Sequence, residues 1–325
     1  MRAIVVDQPG GIETLIVRDV PEPTVGLDDV LIETAFCGCN WADLQRRAGT
    51  YPHPVAYPHI IGREVAGKVA AIGENVDGFA VGDRVIAIPS SGGYAERCIA
   101  PARLVSRLPD SVPFDIGAAF QVQATTAWHM LHTIHKTEPG ETVLVHAAAG
   151  GVGLFAIQLA IKAGATVLGT VGTKGKEAKA LAYGAARVVN LNEDDFVAVA
   201  KDMTGGEGVD LALDSLGAGT LDRTFDAVRA LGHIINIGEA EGTPYSNIRE
   251  RMLPHSHTFT RFSLGNIMDR PDLWRSGVDG VLAAIEDGWL DVPIVDRIPF
   301  EDVADAHRRL ESRQVAGKLL LSFTD

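Results

Sequence analysis

The 325-residue chain has little cysteine: three residues, two of them crowded as Cys37 and Cys39. So few thiols exclude a disulfide framework, and reduced, buried side chains are the expectation. Long apolar runs are missing as well, since none approaches the roughly 20 residues that a membrane-spanning helix requires. Basic residues are in deficit, with 29 Lys plus Arg against 42 Asp plus Glu and a net charge of -13. That balance argues against nucleic-acid phosphates as the main partner. There is no internal repeat and no low-complexity tract, and Met1-Arg2-Ala3-Ile4-Val5-Val6-Asp7 reads as a strand without a signal-peptide pattern. A cytoplasmic protein with no membrane partner and enough length for two domains is expected.

What is present falls into two textures. The first third alternates short strand-like runs, Asp29 to Ala35, Glu64 to Ile72 and Asp83 to Ile88, with turns at Pro21-Glu22-Pro23, Gly73-Glu74-Asn75 and Gly82-Asp83. That is a mostly β domain. From about Thr125 strands alternate with helical segments: Val143 to His146, Val152 to Ala163, Thr166 to Thr170 and Lys174 to Tyr183. Further strands are predicted at Val188 to Asn190, Val209 to Asp214 and His233 to Ile237, with a helix over Leu221 to Ala230, as in a doubly wound parallel sheet. Beyond Phe262 the pattern turns helical and ends in a strand from Lys318 to Phe323. The α/β reading thus divides the chain into a discontinuous domain over 1–123 and 263–325, and a second over 124–262.

The strongest local signal is Val143-Leu144-Val145-His146-Ala147-Ala148-Ala149-Gly150-Gly151-Val152-Gly153. A buried strand breaks here into a glycine-rich turn that opens a helix, so backbone N–H groups are left to face an anion such as a pyrophosphate. Read against G-x-G-x-x-G, Gly150 and Gly153 fill the second and third glycine places and Ala148 the first. An ordinary tight turn is the plain alternative. At the end of the second strand, Thr170-Val171-Gly172-Thr173-Lys174-Gly175-Lys176 offers hydroxyls and two cations where an NAD site places an acid. That set favours a 2′-phosphate and therefore NADPH over NADH.

With these features placed, nearly the whole chain resembles the medium-chain dehydrogenase/reductase superfamily, and more closely its zinc-independent quinone oxidoreductase branch, which includes the zeta-crystallins. The resemblance is carried in order by Gly38-Cys39-Asn40-Trp41-Ala42-Asp43, Arg47 to Tyr51, Gly62-Arg63-Glu64-Val65-Ala66-Gly67, Gly78 to Val85, Gly92-Gly93-Tyr94-Ala95-Glu96, Thr125-Thr126-Ala127 and the Ala147 to Gly153 turn. It implies a GroES-like, mostly β catalytic domain, a doubly wound parallel-sheet Rossmann domain, a cleft holding NADPH, and a homodimer. It also implies cofactor contacts at Thr126, Ala149, Gly150, Gly151, Val152, Gly153, Thr173, Lys176, Asn236, Gly238 and Lys318. Leu191 departs from the pattern, because relatives often carry a tyrosine there.

Where zinc-dependent relatives place catalytic ligands, this chain has Asn40, Arg63 and Val122, and only Cys98 lies in the region of the structural zinc lobe. That donor set implies no metal. The chemistry expected without one is hydride or electron delivery to an already electrophilic acceptor, a quinone, with a conjugated enone or alkenal as the alternative. A non-catalytic NADPH-binding protein is the reading from a different class. The resemblance places Asn40, Tyr51 and Tyr57 around the acceptor, with Tyr51 as the first choice of hydrogen-bond donor. Arg63 is either a fixed positive charge near the acceptor or the partner of Glu64 or Asp43, and the ion pair is the expected arrangement.

Other features are set aside. His129, His132 and His135 recur at helical spacing without an acidic or sulfur ligand beside them. His255 and His257 fall near the return to the first domain, at the mouth of the substrate site, while Met252 and Phe259 read as packing.

Overall fold

Apolar alternation at the N-terminus forms antiparallel strands in the computed structural model, which describes residues 1–53, 55–242 and 245–323. Strand β1 (Arg2–Val6) pairs with β2 (Ile16–Asp19), and after β3 (Asp29–Gly38) and helix α1 (Trp41–Ala48) it also pairs with β4 (His59–Ile60). Then come β5 (Val65–Ile72), β6 (Arg84–Ala87), β7 (Arg97–Pro101), β8 (Val105–Arg107) and the short helix α2 (Phe114–Gly117). The long β3 is the hub of this region. It pairs antiparallel with β5 and with β7, with register shifts along β5 that bend the sheet.

The α/β region opens with α3 (Gln123–Trp128) and a π-helix over His129–Ile134. It continues through β9 (Thr142–Val145), α4 (Gly151–Lys162), β10 (Thr166–Val171), α5 (Glu177–Ala182), β11 (Arg187–Asn190) and α6 (Phe196–Met203). β12 (Val209–Asp214), α7 (Ala218–Ala227), β13 (Val228–Asn236), α8 (Ile248–Met252) and β14 (Thr258–Arg261) complete it. All pairs in this six-stranded sheet are parallel, in the order β11-β10-β9-β12-β13-β14. Counted from β9 this is the 3-2-1-4-5-6 order of a Rossmann fold. A parallel sheet must be covered on both faces, which is why Leu144, Leu168, Phe196, Phe225 and Ile234 form one buried cluster.

The chain then passes α9 (Gly265–Met268), α10 (Pro271–Glu286), β15 (Ile294–Pro299), α11 (Val303–Glu311) and β16 (Lys318–Ser322). β16 pairs antiparallel with β3 and parallel with β15, so this last strand joins the sheet built around β3. Two units result: Met1–Val122 together with the segment from Met268 onward, and Gln123–Ile267. The first is GroES-like and mostly β, with Ile4, Val30, Ile32, Val65, Tyr94 and Leu321 in its core. Cys37, Cys39 and Cys98 are free and buried, and burial pushes the Cys39 and Cys98 thiols up to about 12. They are inert protonated thiols.

Two buried histidines make stability depend on pH. His146 accepts or donates at both nitrogens, 2.8 Å from Thr170 Oγ1 and 2.9 Å from Thr224 Oγ1. His307 lies between the Arg47 guanidinium and the Tyr94 hydroxyl, at 3.3 Å from each. Burial holds both imidazoles down at about 3, with Arg47 adding to the effect at His307. Because the folded value lies below the unfolded one, the stabilisation is intact above about pH 6.5 and is lost as pH falls toward 3. Each histidine is expected to cost about 2 kcal/mol between pH 7 and pH 5. Urea unfolding at the two pH values measures the loss; imidazole NMR signals that titrate near 6.5 in the folded protein would disprove the cause.

Candidate functional site

In the second unit, β9 ends at Val145 and α4 begins at Gly151, with Gly150 as an N-cap that supplies no side-chain bond. The N–H groups of the first helical turn are therefore left for a ligand rather than for a capping oxygen. Gly151 and Gly153 are buried, whereas Gly150 and Val152 keep surface. Ala149 is 1% exposed and Thr126 lies buried in α3. Just beyond the turn, Gln123 Oε1 and Asp214 Oδ2 are buried acceptors without hydrogen-bond partners. Burial raises the Asp214 carboxyl to about 6. A glycine turn at the carboxyl ends of parallel strands, with polar atoms unspent around it, fits a dinucleotide.

The β10–α5 loop is more mixed than its sequence suggests. Lys174 pairs with Glu193 at 3.5 Å, while Lys176, partly buried, is held below its ordinary pKa by desolvation. Thr173 accepts the Lys176 N–H. An acid one residue further on, Glu177, is turned into the loop, where it accepts from Gly175 N at 2.7 Å and Asn190 Nδ2 at 2.9 Å. It is occupied in holding the loop. Leu191 packs against the unit's core. Asn236 shapes the end of β13, its amide donating to Asp214 Oδ1 at 2.5 Å and Gly238 O at 2.9 Å.

In the first unit, the residues singled out from the sequence separate into two groups. Asn40 is buried and belongs to a closed network: Lys318 Nζ donates to Asn40 Oδ1 at 2.8 Å and to Glu64, and Asn40 Nδ2 donates to Glu64 Oε1 at 2.8 Å. Its other amide hydrogen points to Gly38 O at 3.3 Å, so no amide atom is left for an acceptor molecule. Lys318, expected at the cofactor, is fully buried in that network. Tyr57 donates its hydroxyl to the Arg46 carbonyl and packs against the core, so it fixes the end of α1 instead of offering a proton.

Tyr51 and Arg63 form the other group. The Tyr51 hydroxyl has no hydrogen bond among the described residues, and its ring lies 4.1 Å beneath the Arg46 guanidinium carbon. Arg63 does not pair with Glu64 or Asp43, contrary to expectation. Glu64 is taken by Lys318 and by Val122 N, and Asp43 Oδ2 accepts from Asn40 N at 2.9 Å and Tyr94 OH at 3.4 Å. Among the described residues the Arg63 guanidinium reaches only Met268 Sδ, at 3.9 Å. Burial, then the neighbouring Arg46, hold it below its ordinary value, and Tyr51 is near enough to act on it electrostatically.

These arginines line a cavity of about 80 Å³ with His59, Ile60, Gly62 and Ser90. Gly62 has φ +103, and a Cβ there would lie 2.6 Å from the Tyr94 ring, so the wall is backbone packed directly on the core. Arg46 lines this cavity although the sequence did not single it out; only its place one turn after Asp43 in α1 could have marked it.

The histidines of the second unit have separate duties. His129 meets Thr133, His132 stacks on Trp128 at 4.1 Å, and His135 contacts His233 and Glu141. His257 is buried beside Phe225 with Nε2 3.2 Å from Val228 O, and Met252 and Phe259 pack on the same cluster. The pair His255 and His257 thus lies before β14 inside the second unit, away from the expected return to the first.

Residues 26–110 match the family described as alcohol dehydrogenase GroES-like domain, and residues 151–278 match the zinc-binding dehydrogenase family. The zinc of that description finds no fit at Asn40, Arg63 and Val122, whose side chains are a committed amide, a guanidinium and a hydrocarbon. Similarity extends over full length. A probable quinone oxidoreductase of Schizosaccharomyces pombe is 34% identical over 318 residues, 96% of this chain and 94% of that protein. A 2-haloacrylate reductase of Burkholderia sp is 32% identical over 327 residues, 98% of each. Among solved structures, quinone oxidoreductase of Escherichia coli complexed with NADPH has a TM-score of 0.95 at 31% identity, covering 99% of this chain and 100% of that one.

Proposed function

Because the chain belongs to the quinone oxidoreductase branch of the medium-chain dehydrogenase/reductase superfamily, we propose that it is an NADPH-dependent oxidoreductase that reduces a quinone. The observation that carries this reading is the uncapped glycine turn at the carboxyl end of β9, in a chain similar over its full length to an oxidoreductase solved with NADPH. Gly150, Gly151, Val152 and Gly153 would hold the pyrophosphate, Thr173 and Lys176 the 2′-phosphate, and Thr126, Ala149 and Gly238 the remainder of the cofactor. NADPH when bound supplies hydride, and the protein's part is to position the acceptor and stabilise the charge that develops on it.

Tyr51 is the group suited to that second task. Its hydroxyl makes no hydrogen bond among the described residues, its ring lies under the Arg46 guanidinium, and Arg63 is near enough to interact with it, so a donor and two cations stand together where an anionic oxygen would need them. Tyr51→Phe is expected to lower kcat on the order of a hundredfold while NADPH affinity stays within twofold. Unchanged turnover would remove Tyr51 from the mechanism.

The enone or alkenal reductase reading is kept beside the quinone reading because of the likeness to a 2-haloacrylate reductase. The deciding experiment titrates the protein with NADPH and NADH, then follows NADPH oxidation over a panel of quinones and enones. Tighter NADPH binding and turnover of one class are expected. NADPH bound but never consumed would identify the non-catalytic binding protein instead. A homodimer in the cytoplasm belongs to the same proposal, and sedimentation of the purified chain checks the former. No helix among the described residues is long and apolar enough to cross a membrane.

A further inference from the structure

The cavity beside α1 is lined by two guanidinium groups, neither of which forms an ion pair among the described residues. Arg46 is 7% exposed and its Nη1 is buried without a hydrogen-bond partner. Arg63 has no ion pair among the described residues, only the Met268 sulfur at 3.9 Å. Both line the same cavity with His59, whose imidazole is held below its ordinary pKa by burial and then by the two arginines. Asp43 acts on both cations from beyond ion-pair range; its Oδ2 is spent on Asn40 and Tyr94, and its Oδ1 is buried without a hydrogen-bond partner. A chain that leaves one buried and one half-buried guanidinium facing an open space, having paired its other buried lysine and arginine, has left that charge for a ligand.

We propose that Arg46 and Arg63 form a carboxylate-binding subsite, and that it takes acceptors of the 2-enoate class, α,β-unsaturated acids whose carboxylate seats between the guanidinium groups beside Tyr51. This rests on the reductase reading given above and names its acceptor. Guanidinium is the side chain that binds a carboxylate in two parallel bonds, and two of them meet the extra charge that such a substrate acquires. Reduction with NADPH as the reductant adds a hydride at the β-carbon and yields NADP⁺; the π pair moves toward the carboxylate oxygens. A proton from water then forms the C–H bond at the α-carbon. A bare enoate is a poor hydride acceptor because its charge opposes the incoming pair. Cations on its oxygens remove that opposition.

An oxyanion in this cavity has two sources, an acceptor carboxylate or a cofactor phosphate, and the test separates them. Crotonate and methyl crotonate are titrated by calorimetry into the full chain, with and without NADPH, and into Arg46→Met, Arg63→Met and Arg63→Lys. Crotonate is expected to bind the unmodified chain at least tenfold tighter than the ester. Each Met substitution should abolish that preference, and Lys should restore part of it, while NADPH affinity remains within twofold. Equal binding of acid and ester by the unmodified chain overturns the proposal without reference to any variant. So does a preference that survives both Met substitutions, and so does NADPH affinity that falls tenfold with them, which would assign the cavity to a cofactor phosphate. Arginine-dependent crotonate binding with no acceptor turned over supports the subsite and overturns the reductase reading.

Discussion

Lys318→Met is expected to lower the folding stability of the first unit by about 3–5 kcal/mol, the cost of leaving one partner of a buried ion pair alone. Lys318 and Glu64 are both 0% exposed, and the ammonium is the only cation within ion-pair range of the carboxylate among the described residues. Asn40 Nδ2 and Val122 N would still donate to Glu64, at 2.8 Å and 2.9 Å, but neither neutralises a charge. The pair also joins distant parts of the chain. Lys318 begins β16, Asn40 precedes α1, Glu64 leads into β5, and Val122 closes the unit's first segment. Glu64→Gln should cost a similar amount by stranding the ammonium. Glu64→Met with Lys318→Met should recover most of the loss, because an apolar pair of similar volume needs no compensation. Urea unfolding of the four proteins measures this, and a single variant within 1 kcal/mol of the unmodified chain would show that the pair is not what holds these segments.

That ion pair could not be read from the sequence, and the reason is geometric. Glu64 stands next to Arg63, so local reasoning pairs them, yet neighbours on an extended approach to a strand point to opposite sides. The true partner is 254 residues away. Correcting this one contact reverses the meaning of Arg63, which changes from half of an ion pair into a cation without one. The same logic separates the tyrosines. Tyr51 and Tyr57 look equivalent on the page, and only the fold shows that Tyr57 has spent its proton on the Arg46 carbonyl.

Elements governed by local rules were legible. Five of the six strands of the parallel sheet follow apolar runs closed by turn residues, and those five were predicted; β14 was not. That strand and β15 are edge strands, Thr258–Arg261 and Ile294–Pro299, whose half-exposed polar residues break the apolar pattern. Three-residue spacing at His129, His132 and His135 does not bring the rings to one partner. The segment is a π-helix, with Met130 O accepting from His135 N, and its wider turn sends the three rings to different partners.

The glycine turn was legible because its constraint is steric and local, and its glycines differ in a way that a substitution can expose. A Cβ at Gly153 would lie 2.5 Å from Ala147 O and 2.7 Å from Ala148 Cα, so the helix could not start where it does. A Cβ at Gly150 would meet only Ala147 O, at 3.1 Å, and otherwise enter open space. Gly153→Val is therefore expected to damage folding and cofactor binding together, with a stability loss of about 2 kcal/mol or more. Gly150→Val should leave the unfolding midpoint nearly unchanged yet weaken NADPH by about a hundredfold, or roughly 2.7 kcal/mol, because its side chain fills the approach to the uncapped N–H groups. Calorimetric titration with NADPH alongside urea unfolding distinguishes the two. If Gly150→Val bound NADPH as the unmodified chain does, the pyrophosphate would have to lie elsewhere, and the assignment of this turn to the cofactor would fail even though the fold around it stood.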